Sequence, residues 1–225
     1  MIKSYEKELI KELKKMGFNY RNSEDIYKVK LYPPVPEIIL KWLPSIYSQH
    51  LGTGDILVRS LISSVEPFQA KVLVDLFENS DYNEVVKWSI GYVLSISKTE
   101  DISNWILDQL LNKDSSFSRS SFLYAIEKKV DFKSKEEVMK LLKNIFDKYF
   151  YFENYKKIYK KYSELEDIKF LLQKRVTPNL EDYIISLQHS DSFFGDNKAK
   201  SAKQRFEKEI DNLIRALKKK WNVLN

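Results

Sequence analysis

The feature that most constrains this chain is a series of short hydrophobic stripes, each spaced like the buried face of a helix and followed by a short polar turn. Between residues 36 and 126 the pattern predicts six helices, whose stripes begin at Ile38, Leu57, Phe68, Val86, Ile102 and Ser118. The stripes at residues 86–94 and 118–126 lie 32 positions apart. A period of about 30 residues with two helices per unit is typical of an α-solenoid.

An N-terminal helix precedes these stripes. Apolar residues at helical spacing predict it from Ile2 to Met16, and Gly17 suits its end. Residues 18–35 are predicted to form an extended tether, and Pro44 is predicted to kink the helix that contains it. The chain has only 5 glycines and 6 prolines among 225 residues, whereas the two together make up roughly 12% of ordinary proteins. So few turn residues favour helices over an all-β sandwich.

Aspartates stand in the predicted turns, and a cation stands near the start of the helix that follows. The predicted turns are residues 52–55, 79–81 and 112–116. The pairs are Asp55 with Arg59, Asp81 with Lys87, and Asp114 with Arg119. We expect each aspartate to cap its helix. The cation is expected to reach the preceding carbonyl groups or the aspartate of the neighbouring repeat.

The aspartate–cation pairs, together with Pro44, resemble HEAT repeats. A narrower resemblance to bacterial HEAT-repeat proteins without an assigned activity is carried by the segments 31–44, 54–61 and 87–94. It covers roughly residues 9–130 and implies an all-α fold, a HEAT-like α-solenoid of paired antiparallel helices. The chain departs from the family pattern because it has few alanines and only Gly91 at the close-packing positions of the second helices.

Beyond residue 130 the stripes stay helical but no longer match the repeats. We therefore divide the chain into residues 1–130, the HEAT-like part with its N-terminal helix and tether, and residues 131–225, a basic helical part packed on or extending the solenoid. The second part holds 21 cations and 15 anions, an excess of 6 that equals the net charge of the whole chain. Ser134 opens a capping box, residues 190–197 are a predicted loop, and residues 199–224 are the last predicted helix.

The composition leaves little material for catalysis. There is no cysteine and there are only two histidines, which excludes disulfides, thiol nucleophiles and Cys-ligated zinc. Motifs for phosphate loops, dinucleotide binding and H-E-x-x-H zinc sites are absent from the sequence. His50 with Asp55 is a candidate base and orienter, but no obvious nucleophile lies beside them. The segment with His189, Asp191 and Asp196 has too few oxygens for a hard cation. The sequence predicts a protein that is not an enzyme and has no cofactor or metal.

Four residues of the predicted second helices lie off the core stripe, by about 200–240° at 100° per residue. They are Arg59, Trp88, Tyr92 and Tyr124. Because the second helices of HEAT solenoids line the concave face, the resemblance implies that these residues contact a partner protein, where aromatic and Arg side chains are frequent hot spots. The alternative is burial against a neighbouring helix. The favoured function is a non-enzymatic scaffold or adaptor that binds another protein.

Lysines and tyrosines alternate in the C-terminal part. Residues four apart share a helix face, which predicts that four lysines project together: Lys156, Lys157, Lys160 and Lys161. Beside Tyr155, Tyr159 and Tyr162 they form the combination of charge and stacking that single-stranded nucleic acid uses. The alternative is an amphipathic helix with solvated lysines. Only 6 of 38 cations are Arg, so base reading is not expected and nucleic-acid binding is predicted to be weak or absent.

Nucleic-acid binding through these basic helices is nevertheless the alternative function. A less favoured version is a DNA glycosylase, since some glycosylases are built from HEAT-like repeats and are similar to this chain in size, basic charge and helicity. Their paired tryptophans and catalytic aspartate have no identifiable counterpart here.

The longest run without charge extends from Trp42 to Gly54, 13 residues that include a proline. A membrane span needs about 20 apolar residues, so no span is predicted, and we expect Trp42 to lie in the core. The N-terminal residues have no apolar signal core. Together with the lack of cysteine, this predicts a cytoplasmic protein.

Overall fold

The computed structural model is all-helical in the residues that it describes, as the all-α class requires. These are residues 4–132, 134–150, 152–176 and 198–222, without the side chains of residues 198–202. The chain forms two compact units. The first contains the residues up to Gln109 together with Tyr124–Val130, and the second contains Leu110–Leu123 and the residues from Asp131 onward. One edge of the first unit coincides with the predicted boundary after residue 130, while the division into domains stays a prediction.

The first unit contains two sets of neighbouring helices. Its helices are α1 (Tyr5–Lys15), α2 (Ser23–Tyr27), α3 (Val35–Gln49), α4 (Leu51–Ser60), α5 (Lys71–Asn79) and α6 (Glu84–Ile96), followed by α7 (Ser103–Leu111), whose last residues belong to the second unit. The first set is formed by α1, α3 and α5 and the second by α2, α4 and α6. Helix α3 packs against α1 and α5, and α4 packs against α2 and α6. The two sets meet where α3 packs on α4 and α5 packs on α6.

Contacts recur in the first unit between residues about 30 positions apart, which is the predicted period. Parallel β-bridges join Leu31 to Ser64 and Phe68 to Thr99. Polar contacts join Arg59 to Ser89 at 2.8 Å, Glu100 to the Ala70 amide at 2.7 and 2.8 Å, and Lys98 to the Val65 carbonyl at 2.9 Å. Several neighbouring segments of the first unit are therefore connected by contacts at similar separations along the chain.

The predicted turn at residues 52–55 is wrong, because these residues form the first turn of α4. His50 caps this helix, and its Nδ1 accepts a hydrogen bond from the Thr53 N–H at 3.1 Å. The glycine at position 54 is explained by packing rather than by a turn, since a Cβ there would overlap the buried Tyr47 ring.

The expected aspartate caps are likewise replaced. Asn83 caps α6, and its Oδ1 accepts hydrogen bonds from the two amides of Val85 and Val86, at 3.1 and 3.0 Å. The other half of the expectation is confirmed at one turn, where the Arg119 guanidinium donates to the carbonyl oxygen of Asp114 at 3.3 Å.

Residues 18–35 are not an extended tether, because α2 forms in their middle. The Asn22 side chain caps α2. Leu31 exchanges backbone hydrogen bonds of 3.0 Å with Ser63 and Val65. Ile26 and Leu31 are fully buried, so this segment is a packed part of the first unit.

Trp42 is half-buried and does not lie in the core as expected. Its Nε1–H donates to Glu12 Oε2 at 2.7 Å, and its ring lies 6.2 Å from that of Tyr5. The buried face of α3 is formed instead by neighbours such as Leu43 and Ile39. The indole nitrogen needs a polar partner, which it finds at the edge of the contact between α1 and α3.

The sixth predicted repeat helix is a 3-10 helix, Arg119–Glu127. Its first residues explain the difference. The hydroxyl groups of Ser120 and Ser121 donate to the carbonyl oxygens of Phe117 and Ser118, each at 2.6 Å. Such local bonds compete with an α-helical backbone.

The second unit contains α8 (Lys135–Asn144), α9 (Phe146–Tyr149), α10 (Glu153–Tyr162), α11 (Asp167–Val176) and α12 (Lys198–Lys220). The predicted cap is confirmed, as Ser134 Oγ accepts a hydrogen bond from the Glu137 N–H at 3.3 Å. Helix α10 packs against α8 and α12, and α11 packs against α12. The predicted loop at residues 190–197 and His189 beside it lie outside the described residues.

Candidate partner-binding face

Trp88 and Tyr92 lie one turn apart on α6 and stack on each other. Their ring centroids are 5.2 Å apart and their planes differ by 9°. Both side chains are half-buried. Helix α6 packs its opposite face, with Ile90, Val93 and Leu94, into the core. Aromatic pairs of this kind contribute about 0.5–1.5 kcal/mol beyond the burial of their area.

Tyr124 of the 3-10 helix completes the cluster. Its ring is nearly perpendicular to both others, at 88° to Trp88 and 82° to Tyr92, with centroid separations of 6.3 and 5.0 Å. Burial and the neighbouring Tyr92 raise the pKa of the Tyr124 hydroxyl, although the residue remains 37% exposed. We call Trp88, Tyr92 and Tyr124 the aromatic cluster.

Arg59 on α4 is connected to the helix that carries two rings of this cluster. Its Nε donates to Asp55 Oδ2 at 2.8 Å and its Nη2 donates to the hydroxyl of the buried Ser89 on α6, also at 2.8 Å. Two partners hold the guanidinium in one orientation, yet 40% of the side chain stays exposed. The hydrogen bond to Ser89 connects Arg59 to α6. Asp55 forms an ion pair with Arg59 and does not cap α4 as expected.

The structure therefore brings three of the four predicted residues into one cluster and links the fourth to the same helix. Both interpretations of the sequence describe part of this arrangement, since the rings bury area against one another and also face solvent. A rigid aromatic surface beside an oriented guanidinium is the composition found at protein-binding hot spots.

Two residues near this surface were not anticipated. Val85 precedes Trp88 by one turn on α6 and is 63% exposed, whereas an apolar residue is ordinarily expected to be buried. Ser89 is fully buried and fixes Arg59, and a small hydroxyl residue gives no signal of such a role in the sequence. Only the 30-residue spacing from Arg59 could have indicated it.

The four C-terminal lysines do not act as one group. Lys156 is largely buried, with 14% of its side chain exposed, and it pairs with Glu153 at 2.6 Å and with Glu209 at 3.1 Å. Lys157, Lys160 and Lys161 are exposed, and Lys161 lies 5.3 Å from the centre of the Tyr162 ring. The prediction that all four project together is wrong for Lys156, because α12 supplies a carboxylate from 53 residues further along the chain.

Of the three tyrosines beside these lysines, only Tyr162 is partly exposed, so they do not form a continuous stacking platform. Tyr155 and Tyr159 are fully buried, and the Tyr155 hydroxyl donates to the carbonyl of Leu142 at 2.6 Å. Stacking on a base requires an accessible ring face. This geometry weakens the nucleic-acid interpretation of α10 and favours the amphipathic-helix alternative.

The single candidate pair for acid–base chemistry is not assembled. His50 uses Nδ1 to cap α4, whereas Asp55 is bound to Arg59. In the described part of the chain no three His, Asp or Glu residues are grouped as metal ligands would be. Likewise, none of the described helices has the length and apolar character needed to cross a bilayer.

Comparisons of the chain with known protein families, with curated proteins and with solved structures find no match. The function of this chain must therefore be inferred from its own residues.

Proposed function

We propose that this chain is a non-enzymatic scaffold or adaptor that binds another protein through α4, α6 and Tyr124 of the first unit. The aromatic cluster carries this proposal. Three rings in mutual contact remain partly accessible, and Arg59 is oriented by Asp55 on its own helix and by Ser89 on α6. Because these side chains are already ordered by their contacts, they would lose little further conformational entropy when a partner binds.

We further propose that the first unit is a HEAT-like α-solenoid, with α2, α4 and α6 on its binding side. The packing of α4 between α2 and α6 supports this, as do the contacts that recur at about 30 residues. In a solenoid each repeat contacts its neighbours, and the extended surface along one set of helices binds partners.

The experiment is a binding comparison between matched aromatic variants. The tagged chain would first be used to isolate a partner from nuclease-treated host lysate, and the purified partner would then be titrated by calorimetry. We expect Trp88→Ala to weaken binding by about 30-fold or more, since a hot-spot truncation costs about 2 kcal/mol or more. The control is Tyr32→Ala, which removes a 57% exposed ring from the same unit and should leave Kd nearly unchanged.

Stability must be followed in parallel, because Trp88 also packs on Tyr92 and Tyr124. Tyr124→Ala offers a second variant with an exposed side chain, and it should weaken the same partner with less effect on the melting temperature. Equal affinities for the wild type, Trp88→Ala and Tyr124→Ala would contradict the proposal.

A further inference from the structure

Helix α1 borders an open depression of about 770 Å³, and five of the eight residues that line it are cations. The basic side chains are Lys7, Lys11, Lys14, Lys15 and Arg21, and the other lining residues are Glu6, Ile10 and Asn22. Five positive charges thus face one negative charge around the same space. The aromatic cluster is formed by other residues, so this surface is separate from the proposed partner-binding face.

Three of the five cations of this depression lack compensation. Within the described residues, the ammonium groups of Lys7, Lys11 and Lys14 have no carboxylate partner. Positions separated by three or four residues lie on the same helix face, where like charges destabilise the helix slightly. The carboxylate of Glu6 already accepts the Ser23 N–H at 2.9 Å. Binding of an anion would relieve the repulsion between the lysines.

The kinds of cation indicate which anion fits. The guanidinium of Arg21 is held by Asp25 at 2.9 and 3.2 Å, so its fork is occupied and cannot recognise a single carboxylate or a base edge. What remains is a row of lysine point charges. From Lys7 to Lys14 the row spans about 10 Å at about 1.5 Å per residue, which suits a ligand with charges repeated along a narrow chain.

Aromatic rings follow directly in the sequence. Phe18 and Tyr20 stack at 6.1 Å with planes 6° apart, and both are half-buried. Neither ring lines the depression, but both follow Lys15 by five residues or fewer, and rings close to basic side chains are the combination that binds single strands by stacking and charge. A concave site also suits a narrow strand better than the flat surface of a bilayer.

We propose that this depression binds the phosphate backbone of a single-stranded nucleic acid without reading its bases. Binding by charge alone releases counterions, and it has a dissociation constant of about 10⁻⁴ to 10⁻⁶ M at physiological salt. The complex is therefore weak and strongly salt-dependent.

The test is fluorescence anisotropy with a labelled 20-nucleotide oligothymidylate, measured from low to physiological salt. The variant Lys7→Gln/Lys11→Gln/Lys14→Gln should bind about tenfold more weakly at low salt. Its log–log salt slope should be smaller by about 2, since each phosphate contact contributes about 0.7 on single strands. Gln has a helix propensity close to that of Lys, so circular dichroism should be unchanged.

The matched control is Lys157→Gln/Lys160→Gln/Lys161→Gln, which removes three exposed lysines from α10 in the second unit. It should retain wild-type affinity and slope. An equal loss in the control, or no binding by the wild type at low salt, would overturn the proposal. The same holds if a polyglutamate peptide or a phosphatidylserine vesicle binds more tightly than the oligonucleotide. Should the triple variant lose helicity, Lys11→Gln alone must still lower the slope, by about 0.7.

Discussion

Each of the two units is stabilised internally by a different kind of contact. In the first unit, polar contacts such as Arg59 to Ser89 connect residues about 30 positions apart and recur from one helix pair to the next. In the second unit, one ring is the centre of a continuous aromatic core. Phe146 lies between 4.6 and 6.5 Å from the rings of Phe150, Tyr155, Tyr159, Phe170 and Phe206.

This difference determines how each unit should respond to a mutation. Removing one contact of a recurring set should leave the other contacts of that set intact, as happens in repeat proteins, where each unit contacts only its neighbours. Removing the central ring of a single core affects every helix that packs on it. Stability measurements can therefore distinguish the two kinds of organisation.

The largest effect is expected for Phe146→Ala. The side chain is fully buried, so the loss of its contacts and the resulting cavity should lower the free energy of unfolding by about 3–5 kcal/mol, near the upper end of that range. The matched variant in the first unit is Phe77→Ala, whose ring contacts Trp105 at 6.0 Å and which should cost less. Urea denaturation would measure both values.

Hydrogen exchange can then localise each effect. For Phe146→Ala, amide protection should fall in α8 and α10, whereas Phe77→Ala should act on α5 and α6. If Phe146→Ala destabilised the chain less than Phe77→Ala, the contrast between a single aromatic core and recurring contacts would be wrong.

A smaller effect is expected when single hydroxyl groups are removed from buried tyrosines. In the second unit the Tyr155 hydroxyl donates to the Leu142 carbonyl at 2.6 Å, so Tyr155→Phe should lower the free energy of unfolding by about 1–2 kcal/mol by leaving that carbonyl unpaired. In the first unit the Tyr47 hydroxyl is buried and has no hydrogen-bond partner among the described residues. Tyr47→Phe should therefore be neutral or slightly stabilising.

Tyr159→Phe serves as the control for this comparison, because its hydroxyl belongs to the second unit and likewise has no partner among the described residues. It should behave like Tyr47→Phe and unlike Tyr155→Phe in thermal melts. A loss for Tyr159→Phe equal to that for Tyr155→Phe would mean that the unit, rather than the hydrogen bond, decides the cost.

The hydrophobic period predicted most helices because each one buries a single stripe. Gly17 ends α1 with φ of +93°, as its position predicted. Local patterns could not reveal where a polar side chain finds its partner. The sequence predicts residues 52–55 as a glycine-rich turn, but the His50 side chain caps α4 at this point and the residues are helical. The last predicted repeat helix is a 3-10 helix, in which serine hydroxyl groups bond to nearby carbonyl oxygens.

The candidate site was predictable to a similar degree. Helical geometry placed Trp88, Tyr92 and Tyr124 off the core stripe, and the structure brings their rings together. The pairing of Lys156 with Glu209 could not be foreseen, because it depends on the docking of a helix 53 residues away. The sequence pattern does not single out the lysines of α1, because the depression that they line forms only in the tertiary structure.

The smallest effect concerns the polar contact between α1 and α3, and it depends on pH. Glu12 accepts hydrogen bonds from Lys41 Nζ at 2.8 and 2.9 Å and from Trp42 Nε1 at 2.7 Å. These bonds lower the pKa of the Glu12 carboxyl below its ordinary value of 4.5. A carboxyl group with a lowered folded-state pKa stabilises the protein fully above its unfolded pKa, and this contribution is lost as the pH falls through the folded value.

Glu12→Gln should therefore reduce the free energy of unfolding by about 1 kcal/mol at pH 7, and the difference from the wild type should shrink as the pH falls below 4.5. Urea titrations between pH 7 and pH 3 would measure it, with Glu8→Gln as a control that neutralises another carboxylate on α1. Exchange at the amides of α1 and α3 should follow the same pH dependence, because the contact belongs to the first unit. A difference between the wild type and Glu12→Gln that stays constant down to pH 3 would show that the charge of Glu12 adds nothing to this contact. In that case the loss in Glu12→Gln would come from the different hydrogen-bonding geometry of the amide and not from its lack of charge.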